Sequence, residues 1–240
     1  MALIRGVVFD LFGTLTDGSV EPERETLYCE LASLLNVPQT PFLRLMRDTY
    51  DARSLGQLGD VRQTLTHLAG SFGRKLDDQT LDAATELRLA IELRLATPRV
   101  DAMEVLQALS DSGLAIGVIS DCGPETRAIW TNLSFSQLVV QPVFSCEVQL
   151  RKPHVHLYEL AAQRLGLQPA ECLYVGDGGS RELTGALAAG MQAIRLTVPG
   201  EDWGAAIRFD PDDEFSGTSI HSLSALLDLW RASARPELAG

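Results

Sequence analysis

Carboxylate, hydroxyl and ammonium side chains follow short apolar segments of this sequence, and a catalytic site can be built from them. The candidates are Asp10, the neighbouring pair Ser120 and Asp121, Lys152, and Asp177. A carboxylate is a modest nucleophile that attacks phosphorus when the electrophile is held in line and its charge is neutralised. Such a site needs cations and hydrogen-bond donors, which Lys152 and Ser120 supply.

Asp10 and Asp177 also form a donor set for a metal ion. Magnesium prefers oxygen ligands and takes a few carboxylates together with water and substrate. Two carboxylates side by side without a cation repel each other, which raises a pKa and weakens the nucleophile. We therefore expect Mg²⁺ as the cofactor and a small anionic molecule as the substrate.

Five short apolar segments predict the strands that position these groups. Their hydrophobicity is continuous rather than alternating, which is typical of parallel strands covered on both faces. The segments are residues 7–9, 115–119, 143–144, 173–175 and 193–196. Ligands of an open α/β sheet collect beyond the carboxyl ends of its strands, so candidates that are scattered along the chain are expected to meet at one edge.

Helical patterns alternate with the strands from the second strand onward. They cover residues 102–112, 126–133, 155–165 and 181–189. This alternation predicts an α/β fold with a Rossmann-like, doubly wound parallel sheet. A further amphipathic stretch, residues 222–232, is expected to pack on the core.

The segment between the first two predicted strands shows no strand pattern and is helical throughout. A plain crossover needs only about a dozen residues, so this longer segment is predicted to be an inserted subdomain above the first strand. We expect a catalytic core of residues 1–16 plus 98–240 and an all-helical cap of residues 17–97. The cap helices are predicted at residues 21–35, 41–51, 61–69 and 78–96.

Four separated motifs, in order, resemble those of the haloacid dehalogenase superfamily over nearly the whole chain. They are residues 7–15 (VVFDLFGTL), residues 118–121 (VISD), residues 151–153 (RKP) and residues 175–177 (VGD) with Glu182 beyond. The insertion after the first motif resembles the helical cap of the superfamily's C1 group. Any one of these motifs alone is weak evidence for the family. Four of them in the same order along the chain are difficult to explain by chance.

The resemblance implies roles for individual residues. It makes Asp10 the covalent nucleophile and Lys152 its electrostatic anchor, and both are expected to be catalytic. It implies that the hydroxyl of Ser120 binds the transferred phosphoryl group. The expected phosphate and substrate contacts are Ser120, Asp121, Thr14, Phe12 and Lys152.

The same resemblance implies a metal site. Its ligands would be the carboxylates of Asp10 and Asp177 and the backbone carbonyl of Phe12. Glu182 would orient a metal-bound water, or else be an ordinary residue on a helix surface. Thr14 is expected to steady the loop that follows the nucleophile.

Phe12 departs from the pattern of the superfamily's phosphatases, in which the residue two after the nucleophile is usually an aspartate acting as general acid and base. Phenylalanine cannot transfer protons, and an aromatic residue there resembles the metal-free 2-haloacid dehalogenases. Those enzymes, however, lack the pair seen here as Gly176 and Asp177. We predict a magnesium-dependent phosphatase or phosphotransferase for a small phosphorylated metabolite, which either favours good leaving groups or takes its acid from the substrate, water or the cap. A metal-free 2-haloacid dehalogenase and a non-catalytic binding or regulatory protein are the alternatives.

Composition excludes some classes of partner. The formal net charge of −12 opposes binding to nucleic acid, which depends on clustered lysine and arginine. No apolar run approaches the ~20 residues of a membrane span, and no signal peptide is visible. Four separated cysteines without a C-x-x-C pair indicate reduced thiols, so a cytoplasmic protein is expected, as a monomer or homodimer.

Three weaker signals carry two interpretations each. Arg47, Arg53 and Arg62 of the insertion either reach an anionic substrate or are exposed helix charges. His154 and His156 form an H-x-H pair, but no further ligands lie at a suitable spacing, so a helix-start surface is favoured over zinc. Cys122 follows the second motif with no activating histidine nearby and is interpreted as a small buried hydrophobic residue.

Overall fold

The computed structural model describes residues 3–201 and 210–233, and a six-stranded parallel sheet forms its centre. The strand order is β3-β2-β1-β4-β5-β6. The strands are β1 (Gly6–Asp10), β2 (Ala115–Ser120), β3 (Val143–Phe144), β4 (Cys172–Gly176), β5 (Gln192–Leu196) and β6 (Ser219–Ile220). Every neighbouring pair is parallel, which confirms the predicted doubly wound α/β fold.

The sixth strand is absent from the sequence-based prediction. It has only two residues and pairs with Arg195 and Leu196 of β5. Ser219 is exposed whereas Ile220 is buried, so no continuous apolar run marks the strand. An edge strand of this length is defined by its partner and not by its own periodicity.

Eleven α-helices occur in the described ranges, and the first five of them lie between Thr16 and Pro98. These five are α1 (Arg24–Leu34), α2 (Gln39–Asp48), α3 (Tyr50–Ser54), α4 (Val61–Gly70) and α5 (Asp78–Leu95). The others are α6 (Ala102–Asp111), α7 (Pro124–Ile129), α8 (Ser145–Val148), α9 (Val155–Arg164), α10 (Glu182–Ala188) and α11 (Ser224–Ser233). Ten of the eleven overlap predicted helices, with the predicted helix over 41–51 divided at Thr49, whereas α8 is absent from the sequence-based prediction.

Alternate residues of β1 enter two different cores, because successive side chains of a strand point to opposite faces. Val7 and Phe9 pack in a cluster with residues of α6 and α11. Val8 packs on the other face with residues of α9 and α10. Both faces of the sheet are therefore covered, which is why the strands are continuously apolar.

Residues of α1, α2, α4 and α5 form a third core of their own, which includes Leu31, Phe42, Leu65 and Ile91. The chain enters and leaves this helical cap at one place, where Thr16 forms an antiparallel bridge with Pro98. The boundaries expected at 16/17 and 97/98 fall at this bridge, and the division into two domains stays a prediction. Among the described residues no helix has both the length and the hydropathy that a bilayer crossing requires.

Candidate active site

The carboxyl ends of β1, β2 and β4 bring the first, second and fourth motifs together. Asp10 is the last residue of β1 and lies opposite Ile119 of β2, next to Ser120. Phe9 lies opposite Val175 of β4, two residues before Asp177. Parallel register is the reason that groups more than a hundred residues apart share one edge.

The loop after Asp10 turns tightly over residues Leu11–Leu15. Gly13 adopts φ 82°, a left-handed conformation that L side chains rarely take, which explains glycine at this position. The Gly13 amide donates a hydrogen bond of 3.0 Å to Oγ1 of Thr16. Thr14 is fully buried in this loop.

Lys152 connects the nucleophile position with the fourth motif. Its Nζ donates to Oδ1 of Asp10 at 2.5 Å and to Oε2 of Glu182 at 2.6 Å. Its backbone amide donates to Oδ1 of Asp121 at 3.1 Å. One buried ammonium therefore contacts two carboxylates, and its neighbouring amide contacts a third.

Glu182 has no exposed surface, so its interpretation as an ordinary surface residue is wrong. Its Oε1 accepts a hydrogen bond from the Gly178 amide at 2.8 Å. Its Oε2 accepts from the Tyr174 hydroxyl at 2.8 Å as well as from Lys152. Both oxygens are thus already used within the protein, and this favours a role in holding Lys152.

Sequence reasoning missed two tyrosines that support Glu182. Besides Tyr174, the Tyr158 hydroxyl donates to the Glu182 backbone carbonyl at 2.9 Å. Both rings are fully buried and pack edge to face. A tyrosine within a buried apolar strand is the signal that was available, because its hydroxyl requires a polar partner.

Burial raises the pKa of Asp10 well above its usual value, and the nearby Glu182 and Asp177 carboxylates raise it further, while Lys152 opposes them. For Lys152 burial acts to lower the pKa, but the carboxylates of Asp10 and Glu182 outweigh it and hold that pKa well above the usual value. The lysine therefore stays charged.

The carboxylates of Asp10, Asp177 and Glu182 each place an oxygen within 4.8 Å of the others. Lys152 contacts two of the three carboxylates, Asp10 and Glu182. Because several carboxylate oxygens converge in one buried cluster, the donor set fits a divalent cation bound through oxygen. Asp177 is itself oriented by the Gly179 amide, which donates to its Oδ1 at 2.9 Å.

Polar atoms with unused hydrogen-bonding capacity lie around this cluster. Within the described residues, the buried hydroxyls of Thr14 and Ser120 make no hydrogen bond to a nitrogen or oxygen atom. Oδ2 of Asp121 likewise has no hydrogen-bond partner there, and the nearest cation, Nε of Arg151, lies 3.7 Å away. Burial raises the pKa of Asp121, with Lys152 and Arg151 acting against the shift. These atoms can accept a polar ligand.

A cavity of about 670 Å³ extends from these groups to the cap helices. Arg47 and Arg53 line it, whereas Arg62 lies elsewhere on the surface and pairs with Asp82. Arg53 is buried and lies 3.7 Å from Glu125, so it is not an exposed helix charge. Cys122 is buried in the cavity wall, as expected.

His154 and His156 are both exposed and lie outside the lining of this cavity. His156 pairs with Glu159 on the same helix at 2.5 Å. Among the described residues, the candidate metal ligands that lie together are Asp10, Asp177 and Glu182. Neither histidine belongs to this cluster.

The sequence and the fold of this chain are similar to those of hydrolases described elsewhere. A family model described as a haloacid dehalogenase-like hydrolase matches residues 4–190. Glyceraldehyde 3-phosphate phosphatase of Methanocaldococcus jannaschii is 26% identical over 235 residues, covering 95% of this chain and 97% of that protein. (S)-2-haloacid dehalogenase of Pseudomonas fluorescens is 31% identical over 187 residues, covering 74% of this chain and 78% of that protein.

The fold has a close counterpart among solved structures. L-2-haloacid dehalogenase of Xanthobacter autotrophicus, with chloropropionic acid covalently bound, superimposes with a TM-score of 0.66 at 23% identity. The match covers 97% of this chain and 100% of that chain. Together with the family match, these observations confirm the resemblance seen in the four motifs. The chain belongs to the haloacid dehalogenase-like hydrolases.

Proposed function

We propose that this hydrolase is a magnesium-dependent phosphatase or phosphotransferase that acts on a small phosphorylated metabolite through a covalent aspartyl intermediate. The observation that carries the proposal is the cluster of three carboxylates, Asp10, Asp177 and Glu182, two of which contact Lys152. This convergence of carboxylate oxygens favours a divalent cation. The similarity to a glyceraldehyde 3-phosphate phosphatase over 95% of the chain supports phosphate-ester chemistry.

In the proposed reaction a carboxylate oxygen of Asp10 attacks phosphorus, and the bond from phosphorus to the leaving oxygen breaks as the new bond forms. The leaving group takes the electron pair of the broken bond. Water then hydrolyses the aspartyl phosphate, which releases phosphate and restores Asp10. Lys152 keeps Asp10 oriented and stabilises the phosphoryl oxygens, while the hydroxyls of Ser120 and Thr14 donate hydrogen bonds.

The carboxylates of Asp10 and Asp177 would hold Mg²⁺, with the Phe12 carbonyl as the expected backbone ligand. When bound, it supplies charge neutralisation for the transferred phosphoryl group. Glu182, whose two oxygens are already hydrogen-bonded, contributes by fixing Lys152.

Phe12 restricts the choice of leaving group. The absence of a positioned general acid costs roughly 10²–10⁴-fold for a group that needs protonation, but little for one that leaves as a stable anion. Acyl and aryl phosphates are therefore the favoured substrates.

A metal-free 2-haloacid dehalogenase is the second candidate, and a specific observation favours it. Lys152 already contacts Asp10 at 2.5 Å, so the nucleophile has a counter-charge without any metal. Attack on carbon with loss of halide needs no proton donor, which agrees with Phe12. The relative from Pseudomonas fluorescens carries that activity.

A paired assay separates the two candidates. Phosphate release from acetyl and phenyl phosphate is expected with Mg²⁺, to be abolished by a chelator, and to fall at least 10³-fold in Asp10→Asn. Asp48→Asn, which alters an exposed cap carboxylate, is the matched control and is expected to keep full activity. Chloride release from 2-chloropropionate in the presence of the chelator would establish the dehalogenase instead. Retained activity in Asp10→Asn contradicts both.

A further inference from the structure

The volume of the cavity exceeds what a phosphoryl group and a two- or three-carbon body require. At about 670 Å³ it falls in the range of ~300–1,000 Å³ that suits drug-sized ligands. The phosphoryl position is set at one end by Asp10, Ser120 and Asp177, which all line the cavity. The remaining space lies against the cap, so it is available to the leaving group.

The cap side of the cavity offers apolar and aromatic surface. Leu43 and Met46 of α2 line it beside Tyr28 of α1 and Tyr50 of α3, and Phe12 faces it from the nucleophile loop. Part of each tyrosine ring is already covered. Two guanidinium groups lie 5.3 and 5.8 Å from the ring centre of Tyr28, and one lies 4.8 Å from that of Tyr50. A leaving group can pack against the surface that is left.

The charges of the cap side are compensated within the protein. Among the described residues, every arginine that lines the cavity has a carboxylate partner. The pairs are Arg24 with Glu21 at 2.5 Å, Arg47 with Glu25 at 3.2 Å, Arg53 with Glu125 at 3.7 Å, and Arg88 with Glu92 at 3.0 Å. Four glutamates thus face four arginines.

A second anionic group on the substrate would therefore meet no uncompensated cation in this part of the cavity. It would also lie close to carboxylates, and it would lose water on entering. An uncharged aromatic group loses little on desolvation and gains contact with the apolar wall.

We propose that the cap cavity, with Leu43, Met46 and Tyr28 in its wall, selects phosphomonoesters whose leaving group is bulky, aromatic and uncharged. This inference rests on the proposed phosphatase function and narrows its substrate class. It makes Met46 a residue that sets specificity, and it assigns Glu21 the task of masking Arg24.

The test compares kcat/KM for phenyl phosphate, 3-carboxyphenyl phosphate and 1-naphthyl phosphate, with acetyl phosphate as a small reference. The wild type is expected to prefer phenyl over 3-carboxyphenyl phosphate at least tenfold. In Met46→Trp, which fills the cavity, the ratio of 1-naphthyl to acetyl phosphate is expected to fall at least tenfold. Leu93→Trp, at an exposed cap position outside the lining, is the matched control and is expected to leave that ratio unchanged.

Glu21→Gln tests the charge argument in the opposite direction. This nearly isosteric change removes the charge that masks Arg24, so kcat/KM for 3-carboxyphenyl phosphate is expected to rise at least fivefold relative to phenyl phosphate. A wild-type preference for the carboxylated ester, or unchanged ratios in both variants, overturns the inference while leaving a phosphatase in place. Absence of magnesium-dependent turnover on the three aryl esters and on acetyl phosphate overturns the proposed function and this inference with it.

Discussion

At the scale of single residues, the site is controlled by how buried charges and polar groups are paired. Lys152 shares its ammonium between Asp10 and Glu182, and the carboxylates keep it protonated. Tyr174 and the Gly178 amide complete the coordination of Glu182. Because each of these groups is buried, loss of one partner leaves another polar group unsatisfied, and this explains the density of hydrogen bonds around one lysine.

The cysteines give a residue-scale prediction about pH. A hydrogen bond donated by the Cys122 thiol lowers the pKa of Cys146, which is half-buried, whereas burial raises the pKa of Cys172 to about 11. The thiolate is the reactive form, so at pH 8 only about one molecule in a thousand carries Cys172 as thiolate. We expect iodoacetamide to modify Cys146 at least tenfold faster than Cys172, as measured by mass spectrometry of peptides from the native protein.

Cys122→Ala is the control for that experiment. Without the hydrogen bond from Cys122 the pKa of Cys146 is expected to rise. Less thiolate is then present at pH 8, so alkylation of Cys146 is expected to slow. Equal alkylation rates for Cys146 and Cys172 in the native wild type would show that the thiol pairing is wrong.

At the scale of elements, the structure depends on contacts between segments that are far apart in the chain. Arg99 follows the cap and reaches back to the nucleophile loop, where its Nε donates to the Thr14 carbonyl at 2.9 Å and its Nη2 to the Gly13 carbonyl at 2.6 Å. Glu201 pairs with the same guanidinium at 2.5 Å. The arginine therefore ties the loop to the point where the chain leaves the cap.

Arg99→Lys is expected to lower kcat about tenfold or more with little change in KM. Lysine keeps the charge but lacks the planar group of donors that spans two carbonyls, so the loop carrying Asp10 loses its fixed position. Steady-state kinetics on the best aryl phosphate provide the measurement. Arg127→Lys, at an exposed surface pair, is the matched control. An increase in KM alone would mean that Arg99 serves substrate binding rather than the nucleophile loop.

A buried charge network joins cap helix α5 to core helix α7. Arg88 contacts Glu92 on its own helix and Glu125 on α7, while Thr126 donates to Glu92. Arg53 of α3 also lies beside Glu125. The network connects the cap to the helix that directly follows the second motif.

Glu125→Ala is expected to reduce the free energy of unfolding by about 3–5 kcal/mol, because it leaves Arg53 and Arg88 buried without their shared partner. Urea unfolding followed by circular dichroism gives the value. The double variant Arg88→Met, Glu125→Leu, which removes both charges, is expected to lose less than the single variant. A loss below about 1 kcal/mol in Glu125→Ala would imply that the network is not desolvated in solution.

At the scale of the whole molecule, the site lies between two bodies of packed residues, each with its own core. The cap core and the two cores on the faces of the sheet share few residues, and the chain crosses between cap and sheet at the Thr16 and Pro98 bridge. The cluster of three carboxylates lies beneath this cap, and Lys152 contacts two of them. Holding like charges together in a buried site lowers the stability of the whole fold, and a proton or a bound cation offsets that cost.

Magnesium is expected to raise the melting temperature more at pH 8 than at pH 5. The pKa of Asp10 is raised in the folded protein, so its proton stabilises the fold at low pH and that contribution is lost as pH rises through the raised pKa. A cation needs the ionised carboxylate and replaces the lost stabilisation. At about 100 times its dissociation constant, Mg²⁺ contributes about 2.7 kcal/mol, or roughly 5–10 °C for a chain of this size.

Differential scanning calorimetry with MgCl₂ or a chelator at the two pH values gives the measurement. Asp177→Asn is expected to remove most of the shift at pH 8, whereas Asp48→Asn, at the exposed cap carboxylate, is expected to keep it. A shift that is equal at both pH values, or absent in the wild type, would show that these carboxylates do not bind the ion.

Sequence alone determined the class of fold and the meeting of Asp10, Ser120 and Asp177. Both follow from local rules: continuous apolar runs indicate buried parallel strands, and the carboxyl ends of such strands share an edge. The excess length between the first two strands was likewise sufficient to indicate an inserted cap.

The partners of the buried polar groups depend instead on how distant elements pack together. The burial of Glu182 and the contact of Arg99 with a loop 85 residues away depend on how distant elements pack, and no local periodicity encodes this. The charge balance of the cap cavity is of the same kind, since Arg53 and Arg88 meet Glu125 only after the cap folds onto the core. The spacing of hydrophobic residues can be read from a single segment, so it predicts helices and strands. The partner of a buried charge comes from a distant segment, so it is known only once the chain has folded.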